Sequence, residues 1–150
     1  MRAVAVLLLS VLGAALLGAA SIGASRAPVQ ARFGFVDVWV DSGDSPLAAY
    51  QFEFHAPEGV TIVGVESGEH RAYREAPHYD GAALTQGRII VGALAEGESL
   101  PTRSTRVARL HLRIEGGAKQ SYECTLDVAA TPDERRIHEA TLTVREGSES

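Results

Sequence analysis

Polar and apolar residues alternate with a period of two at the start of the segment 47–68, LAAYQFEFHAPEGVTIVGVESG. One side of this alternation holds Ala48, Tyr50, Phe52 and Phe54, and the other holds Ala49, Gln51, Glu53 and His55. Such a period is typical of a β-strand with one buried face. Because proline cannot donate a ladder hydrogen bond and glycine favours turns, the strand ends at residues 56–59 and the β-rich run 60–65 forms a second strand. We therefore predict a hairpin-like unit whose aromatic side chains start the core.

The rest of the chain contains further short segments with β-strand character. They are residues 34–40, 88–95, 105–115, 122–130 and 140–144, and sequences rich in Gly, Pro, Ser and Asp separate them. In the run 88–95, RIIVGALA, every residue after Arg88 is apolar, which predicts a strand buried on both faces. About seven short strands without a convincing helix predict an antiparallel β-sandwich.

The alternation in segments 105–115 and 122–130 also predicts which residues are buried. Inward positions are Ala108, Leu110, Leu112 and Ile114 in the first and Tyr122, Cys124, Leu126 and Val128 in the second. Val107 is expected to face solvent. If the two strands pair as a hairpin, Arg113 lies opposite Glu123. In the same register Arg109 lies opposite Asp127, and both pairs would be favourable across a ladder.

The first 26 residues have the composition of a secretory signal peptide. Arg2 supplies a positive charge, residues 3–24 are uncharged and mostly apolar, and small residues follow. Because the apolar run is long for a signal-peptide core, an uncleaved membrane anchor is the alternative. We expect residues 27–150 to form one domain that is secreted or held in the periplasm or cell envelope. Membrane contact is expected only if residues 1–26 stay attached.

Composition disfavours several classes of function. The formal net charge of −5 makes nucleic acid and anionic membranes poor partners. Cys124 is the only cysteine, so an intramolecular disulfide is impossible, and its place in the alternation predicts an inert core thiol. The segment 41–46 is better explained as a turn than as the nucleophile segment of a serine protease. We predict no enzymatic activity and no cofactor.

Three segments resemble strands of cohesin modules, over about residues 33–145. They are VDVWVDSGDSPLA, LAAYQFEFHAPEGVTIVGVESG and RIIVGALAEGESLPTRSTRVARLHLRIEG. The resemblance implies a nine-stranded jelly-roll β-sandwich of the cellulose-binding and cohesin type for residues 27–150. It also implies that strands 105–115 and 122–130 lie in different sheets, which would exclude the hairpin described above. Since one flat sheet face of cohesins binds dockerin modules, the resemblance implies a non-catalytic module that binds an extracellular or envelope protein.

The polar segment 66–86 has no sustained period and is long for a loop, which favours a functional or loosely ordered segment. Its candidate ligand-binding residues are Tyr73, His78, Tyr79 and Asp80. A transition-metal site formed by Glu69, His70, His78 and Asp80 is an alternative, but the spacing matches no zinc pattern, and we predict no metal site. A simpler alternative is that the tyrosines and histidines pack this loop onto a sheet edge.

Trp39 opposes the valine side of segment 34–40 and lies beside Asp37 and Asp41 in the alternation. An aromatic ring for stacking and carboxylates for hydroxyl groups are what a sugar-binding face needs. Trp39 is therefore the key candidate for the alternative function, a carbohydrate-binding module for a polysaccharide. The opposing explanation is that a loop or a neighbouring strand covers the ring. Together with Asp44, the same carboxylates could offer oxygens to calcium, but their spacing favours a solvated turn.

Overall fold

The computed structural model describes residues 30–84 and 86–147. Residues 1–26, which carry the predicted signal peptide, lie outside the described residues. The strands are β1 (Ala31–Asp41), β2 (Ala49–His55), β3 (Val60–Glu66), β4 (His78–Tyr79), β5 (Arg88–Leu94), β6 (Ser104–Glu115), β7 (Glu123–Ala130) and β8 (Thr141–Gly147). Within this part of the chain, the helical pieces are two single 3₁₀ turns, Arg71–Tyr73 and Gly81–Ala83.

The strands form two four-stranded sheets. Sheet A has the order β3-β6-β1-β8 and sheet B has the order β4-β5-β2-β7. Every pairing within the two sheets is antiparallel. The predicted all-β, antiparallel architecture is confirmed, and the arrangement is β-sandwich-like. Because most consecutive strands lie in different sheets, the fold depends on contacts between residues that are distant in sequence.

The core forms between the inner faces of the two sheets. Inward residues of β1 and β2 are at most 2% exposed: Val36, Val38, Val40, Tyr50, Phe52 and Phe54. Phe54 stacks on Tyr122 with ring centroids 5.4 Å apart, and Tyr50 stacks on Phe52 at 6.1 Å. Large aromatic side chains dominate core energetics because each removes so much apolar surface from water. The predicted contribution of the β2 aromatics to the core is therefore confirmed, and the valine side of β1 faces the same core.

The predicted hairpin within residues 47–68 is wrong, because β2 belongs to sheet B and β3 to sheet A. β2 is already paired on both edges, with β5 on one side and β7 on the other. The amide of Ala56 donates to the carbonyl of Gly87 at 2.7 Å, which holds the end of β2 beside the start of β5. Gly59, with a φ of 80°, then turns the chain toward the other sheet, where β3 pairs with β6.

The predicted pairing of 105–115 with 122–130 is also wrong, because β6 lies in sheet A and β7 in sheet B, as the cohesin resemblance implied. Arg109 bonds Asp37 rather than lying opposite Asp127. Arg113 lies opposite Phe33 and Thr61 rather than Glu123. Because the segment between β6 and β7 crosses from one sheet to the other, neither strand can use its sequence neighbour as a ladder partner.

Register irregularities shift the alternation in β6 and β7. In the β1–β6 ladder, Val38 pairs with Ala108 and the next residue pairs with Arg106, so Val107 is an extra residue, and it is fully buried. The β2–β7 ladder has the corresponding irregularity beside Gln51, and Val128 is 38% exposed. A bulge adds one residue to a strand and therefore changes which residues face inward. The predicted outward position of Val107 and inward position of Val128 are both wrong for this reason.

β5 is buried on one face only, which corrects the prediction of a strand buried on both faces. Ile89 and Val91 point into the core with 1% and 0% exposure. On the opposite face Ile90 is 39% exposed and Leu94 is 72% exposed. This exposure follows from the architecture, because no helix or third sheet covers the outer face of sheet B in the described residues.

Candidate binding face

The residues singled out from the sequence do not gather in one place. Trp39 lies on the outer face of sheet A, where the guanidinium of Arg145 covers its ring at 4.2 Å from the ring centroid. The indole Nε1 is buried and has no hydrogen-bond partner in the described part of the chain. Arg145 belongs to β8, the strand beside β1. A neighbouring strand therefore covers the Trp39 ring, as the opposing explanation for this residue states.

Charged groups next to Trp39 are paired with one another. Arg109 donates two hydrogen bonds to the carboxylate of Asp37, at 2.7 and 2.9 Å, and its guanidinium also stacks on the ring of Phe35 at 3.8 Å. Arg106 lies 3.7 Å from the same carboxylate. Bidentate arginine–carboxylate pairs are among the stronger polar contacts in proteins. The Asp37 carboxylate therefore stabilises the outer side of sheet A and is already occupied as a hydrogen-bond acceptor.

Tyr73 is part of the core, with 2% of its surface exposed. Its hydroxyl donates to the carbonyl of Leu47 at 2.7 Å, and its ring meets that of Tyr50 edge-on at 5.1 Å. The Tyr50 hydroxyl in turn donates to the carbonyl of Val107 at 2.8 Å. Burial raises the pKa of both phenols well above the ordinary value of 10. Tyr73 therefore anchors the loop between β3 and β4 to the core, and a surface ligand has no access to its ring.

His78, Tyr79 and Asp80 lie together at the edge of sheet B. His78 is exposed and pairs with Gly92, whereas Tyr79 pairs with Val91 and packs against the core. The Asp80 carboxylate accepts a hydrogen bond from the amide of Ala82 at 2.9 Å and caps the 3₁₀ turn that follows. Within the described residues, no three His, Cys, Asp or Glu side chains are grouped so that they could hold a metal ion.

Ser42 of the turn segment 41–46 and Cys124 of β7 both have structural roles. Ser42 is fully buried, and its hydroxyl donates to the carbonyl of Ser45 at 2.8 Å within the turn. Cys124 lies opposite Phe54 in the β2–β7 ladder. Burial, followed by the charge of Asp127, raises the pKa of the Cys124 thiol to about 12, so the thiol stays protonated at neutral pH.

The outer face of sheet B carries exposed aliphatic side chains that the sequence argument missed. Ile90 and Leu94 lie on β5 with Gly92 between them. On the neighbouring strand β2, Gln51 pairs with Gly92 on one side and with Val128 of β7 on the other. We call these five residues the sheet B patch. The continuous apolar run in β5 concealed it, because such a run is also typical of a strand covered on both sides. The available sequence signal was the turn-rich segment before β5, which contains no element long enough to cover that strand.

Three shallow cavities adjoin one another along β5 and together form what we call the β5 groove. The first, about 470 Å³, lies between Arg88 and the β4 loop at His78 and Asp80. The second, about 300 Å³, shares His78 and Ile90 with the first and extends to Leu94. The third, about 450 Å³, shares Leu94 with the second and ends at the loops that contain Glu96 and Glu134. The groove therefore follows the whole length of the strand.

One end of the sheet B patch is bounded by a charged cluster. Arg88 donates to both oxygens of the Glu53 carboxylate at 2.7 and 2.8 Å, and His55 bonds the same carboxylate. These hydrogen bonds, from Arg88 first and His55 second, hold the pKa of Glu53 at about 2. The charges of Arg88 and Glu53 therefore neutralise each other. A partner on this face would stabilise it mainly by removing the aliphatic side chains beside this pair from water.

Comparisons with known protein families, with curated proteins and with solved structures found no match. In the part of the chain that the structure describes, no helix is both long enough and apolar enough to span a membrane.

Proposed function

We propose that this chain is an exported, non-catalytic binding module of the cohesin-like jelly-roll type, which holds an extracellular or cell-envelope protein on the outer face of sheet B. The observation that carries the proposal is the sheet B patch, where Ile90, Leu94 and Val128 are 39%, 72% and 38% exposed on one face. Grouped aliphatic side chains on a flat face are typical of protein interaction surfaces.

Two further observations support this proposal. The separation of β6 and β7 into different sheets is the arrangement that the cohesin resemblance implies. Export to the cell surface or periplasm is supported by the composition of residues 1–26. A module that acts outside the cytoplasm through the aliphatic outer face of sheet B agrees with both.

The outer face of sheet A supports protein binding less well. Its Asp37 carboxylate is bonded by Arg109, and the Trp39 ring lies under Arg145. A partner that displaced these groups would have to replace charge-assisted hydrogen bonds, which is costly. Carbohydrate binding is the second candidate function, because a sugar could stack on the Trp39 ring only after Arg145 had moved away from it.

The test is capture of a partner that depends on Leu94. The full chain would be immobilised through its C-terminus and exposed to the secreted and envelope fractions of its host, in parallel with Leu94→Ser and Phe33→Ser variants. Phe33 is the matched control, because it is 58% exposed on the outer face of sheet A. We expect one stoichiometric protein that wild type and Phe33→Ser retain and Leu94→Ser loses. Capture of no protein, or of one that Leu94→Ser still retains, would contradict the proposal.

A further inference from the structure

The β5 groove has the dimensions of an extended peptide. β5 contains seven residues, from Arg88 to Leu94, and at about 3.3 Å per residue the groove runs for roughly 20 Å. Ile90 and Leu94 face outward four residues apart, with Gly92 between them. A side chain at position 92 would meet the Tyr50 carbonyl oxygen at 3.0 Å and the Gln51 Cβ at 3.6 Å, so backbone and Gln51 form the surface between the two aliphatic side chains. An extended chain with apolar side chains at alternate positions can place one of them over Gly92 and one beside each aliphatic side chain.

Both ends of the β5 groove carry carboxylates that form no ion pair with another described residue. Among the described residues, no Lys, Arg or His lies within 4 Å of the carboxylates of Asp80, Glu96 or Glu134 in an ion pair. Arg88 also lines the groove, and its charge is neutralised by Glu53. The groove is therefore aliphatic along its floor and negative at its two ends.

From this shape and this charge pattern, we infer that the β5 groove binds an extended peptide segment of the partner, with apolar side chains at alternate central positions and lysine or arginine at both ends. This inference rests on the proposed function and adds the chemistry of the bound segment. The aliphatic floor recognises the alternate side chains, and the carboxylates fix the register of the ends. A polysaccharide is disfavoured, because the outward positions of β2, β5 and β7 hold no Trp, Tyr or Phe for ring stacking. Tyr79 lines the groove on the β4 side, but its ring packs against the core.

The experiment uses a display library of random nine-residue peptides selected on the immobilised full chain. We expect enrichment of peptides with Lys or Arg at both ends and Val, Ile or Leu at alternate central positions. The most enriched peptide would then be synthesised with a fluorescent label, and its affinity measured by anisotropy. Its binding should also weaken as salt is raised, because the end contacts are ionic and exposed.

Two variants with matched controls locate the peptide. Leu94→Ser should weaken binding by at least about tenfold, since it removes a side chain that the peptide buries. Glu96→Lys should weaken binding by about fivefold through charge reversal at one end. Glu98→Lys changes the net charge equally from a position outside the groove lining and should have no effect, and neither should Phe33→Ser. Thermal unfolding would verify that all four variants remain folded.

The outcomes separate this inference from the proposed function. If a protein partner is captured in a Leu94-dependent way but no peptide is enriched, the proposed function stands and the extended-peptide inference is wrong. Enriched peptides that lack basic ends, or that bind Leu94→Ser as well as wild type, also overturn it. A second copy of the chain or a polysaccharide as the occupant, detected by sedimentation or glycan binding that Leu94→Ser abolishes, would overturn it as well.

Discussion

Glu53 shows how one residue couples the sheet B face to pH. Its pKa in the folded protein is about 2, below the ordinary 4.5, because Arg88 and His55 bond the ionised form. The ionised carboxylate therefore stabilises the fold, fully above about pH 4.5, and this contribution is lost as pH falls toward 2. We expect Glu53→Gln to lower the melting temperature at pH 7, with the difference from wild type shrinking between pH 4.5 and 2.

The measurement is thermal unfolding followed by circular dichroism at several pH values. Glu58→Gln is the control, because Glu58 is exposed in the loop between the sheets. If the Glu53→Gln deficit remained constant down to pH 2, the low pKa assigned to Glu53 would be incorrect.

Trp39 is the only tryptophan, so its fluorescence reports one site. With Arg145 stacked on the ring, we expect polysaccharides to leave the emission of wild type unchanged. Arg145→Ala uncovers the ring and should shift the emission to longer wavelength and increase quenching by acrylamide. Arg113→Ala, on the same face but paired with Glu115, should leave both unchanged. A shift on adding polysaccharide to wild type would favour the carbohydrate-binding alternative.

At the scale of elements, Tyr73 fixes the loop that leads to β4 and one wall of the β5 groove. Tyr73→Phe removes the hydroxyl that donates to the Leu47 carbonyl and leaves that acceptor buried. We expect a loss of about 1–2 kcal/mol in the free energy of unfolding, measured in urea. Amide exchange in residues 67–77 should accelerate more than in β1 or β6, because the anchor is local to this loop.

The control for this variant is Tyr122→Phe, whose ring stacks on Phe54 at a partly exposed position. It should cost less than about 0.5 kcal/mol. If both variants lost the same free energy of unfolding, the hydrogen bond from Tyr73 to the Leu47 carbonyl would not stabilise the loop.

The strands were predictable because alternation is a local property. The inward faces of β1 and β2 follow from residues that are two apart, and the segments predicted in the sequence overlap β1, β2, β3, β5, β6, β7 and β8. The two wrongly predicted facings, those of Val107 and Val128, have the same cause. Val107 and Val128 depend on bulges, and a bulge is decided by how a strand fits its partner. The candidate site was only partly predictable. The predicted residues His78, Tyr79 and Asp80 line the groove, whereas Ile90 and Leu94 were expected to be buried.

At the scale of the whole molecule, the two outer faces differ in character. Sheet A presents paired charges and the exposed ring of Phe33, whereas sheet B presents the aliphatic patch beside the Glu53–Arg88 pair. The net charge of −5 at pH 7 keeps copies apart, and this repulsion vanishes near the isoelectric point at lower pH. We expect wild type to associate there through sheet B, as measured by light scattering. Leu94→Ser should reduce this association, and Phe33→Ser should not.

Equal association of the three proteins would mean that the sheet B patch does not govern contacts between copies. Loss of association in Phe33→Ser alone would assign this behaviour to sheet A instead.

The sequence by itself determined the β-strands, the aromatic contribution of β2 to the core and the absence of an intramolecular disulfide, because periodicity and composition act within a few residues. Only the tertiary structure decided that β2 and β3, and likewise β6 and β7, belong to different sheets. Pairing joins residues that are distant in the chain, and local pattern does not encode which strand becomes the neighbour. The same reason explains why Leu94 is exposed and Tyr73 buried: both depend on which elements cover the sheet, and that is a property of the assembled fold.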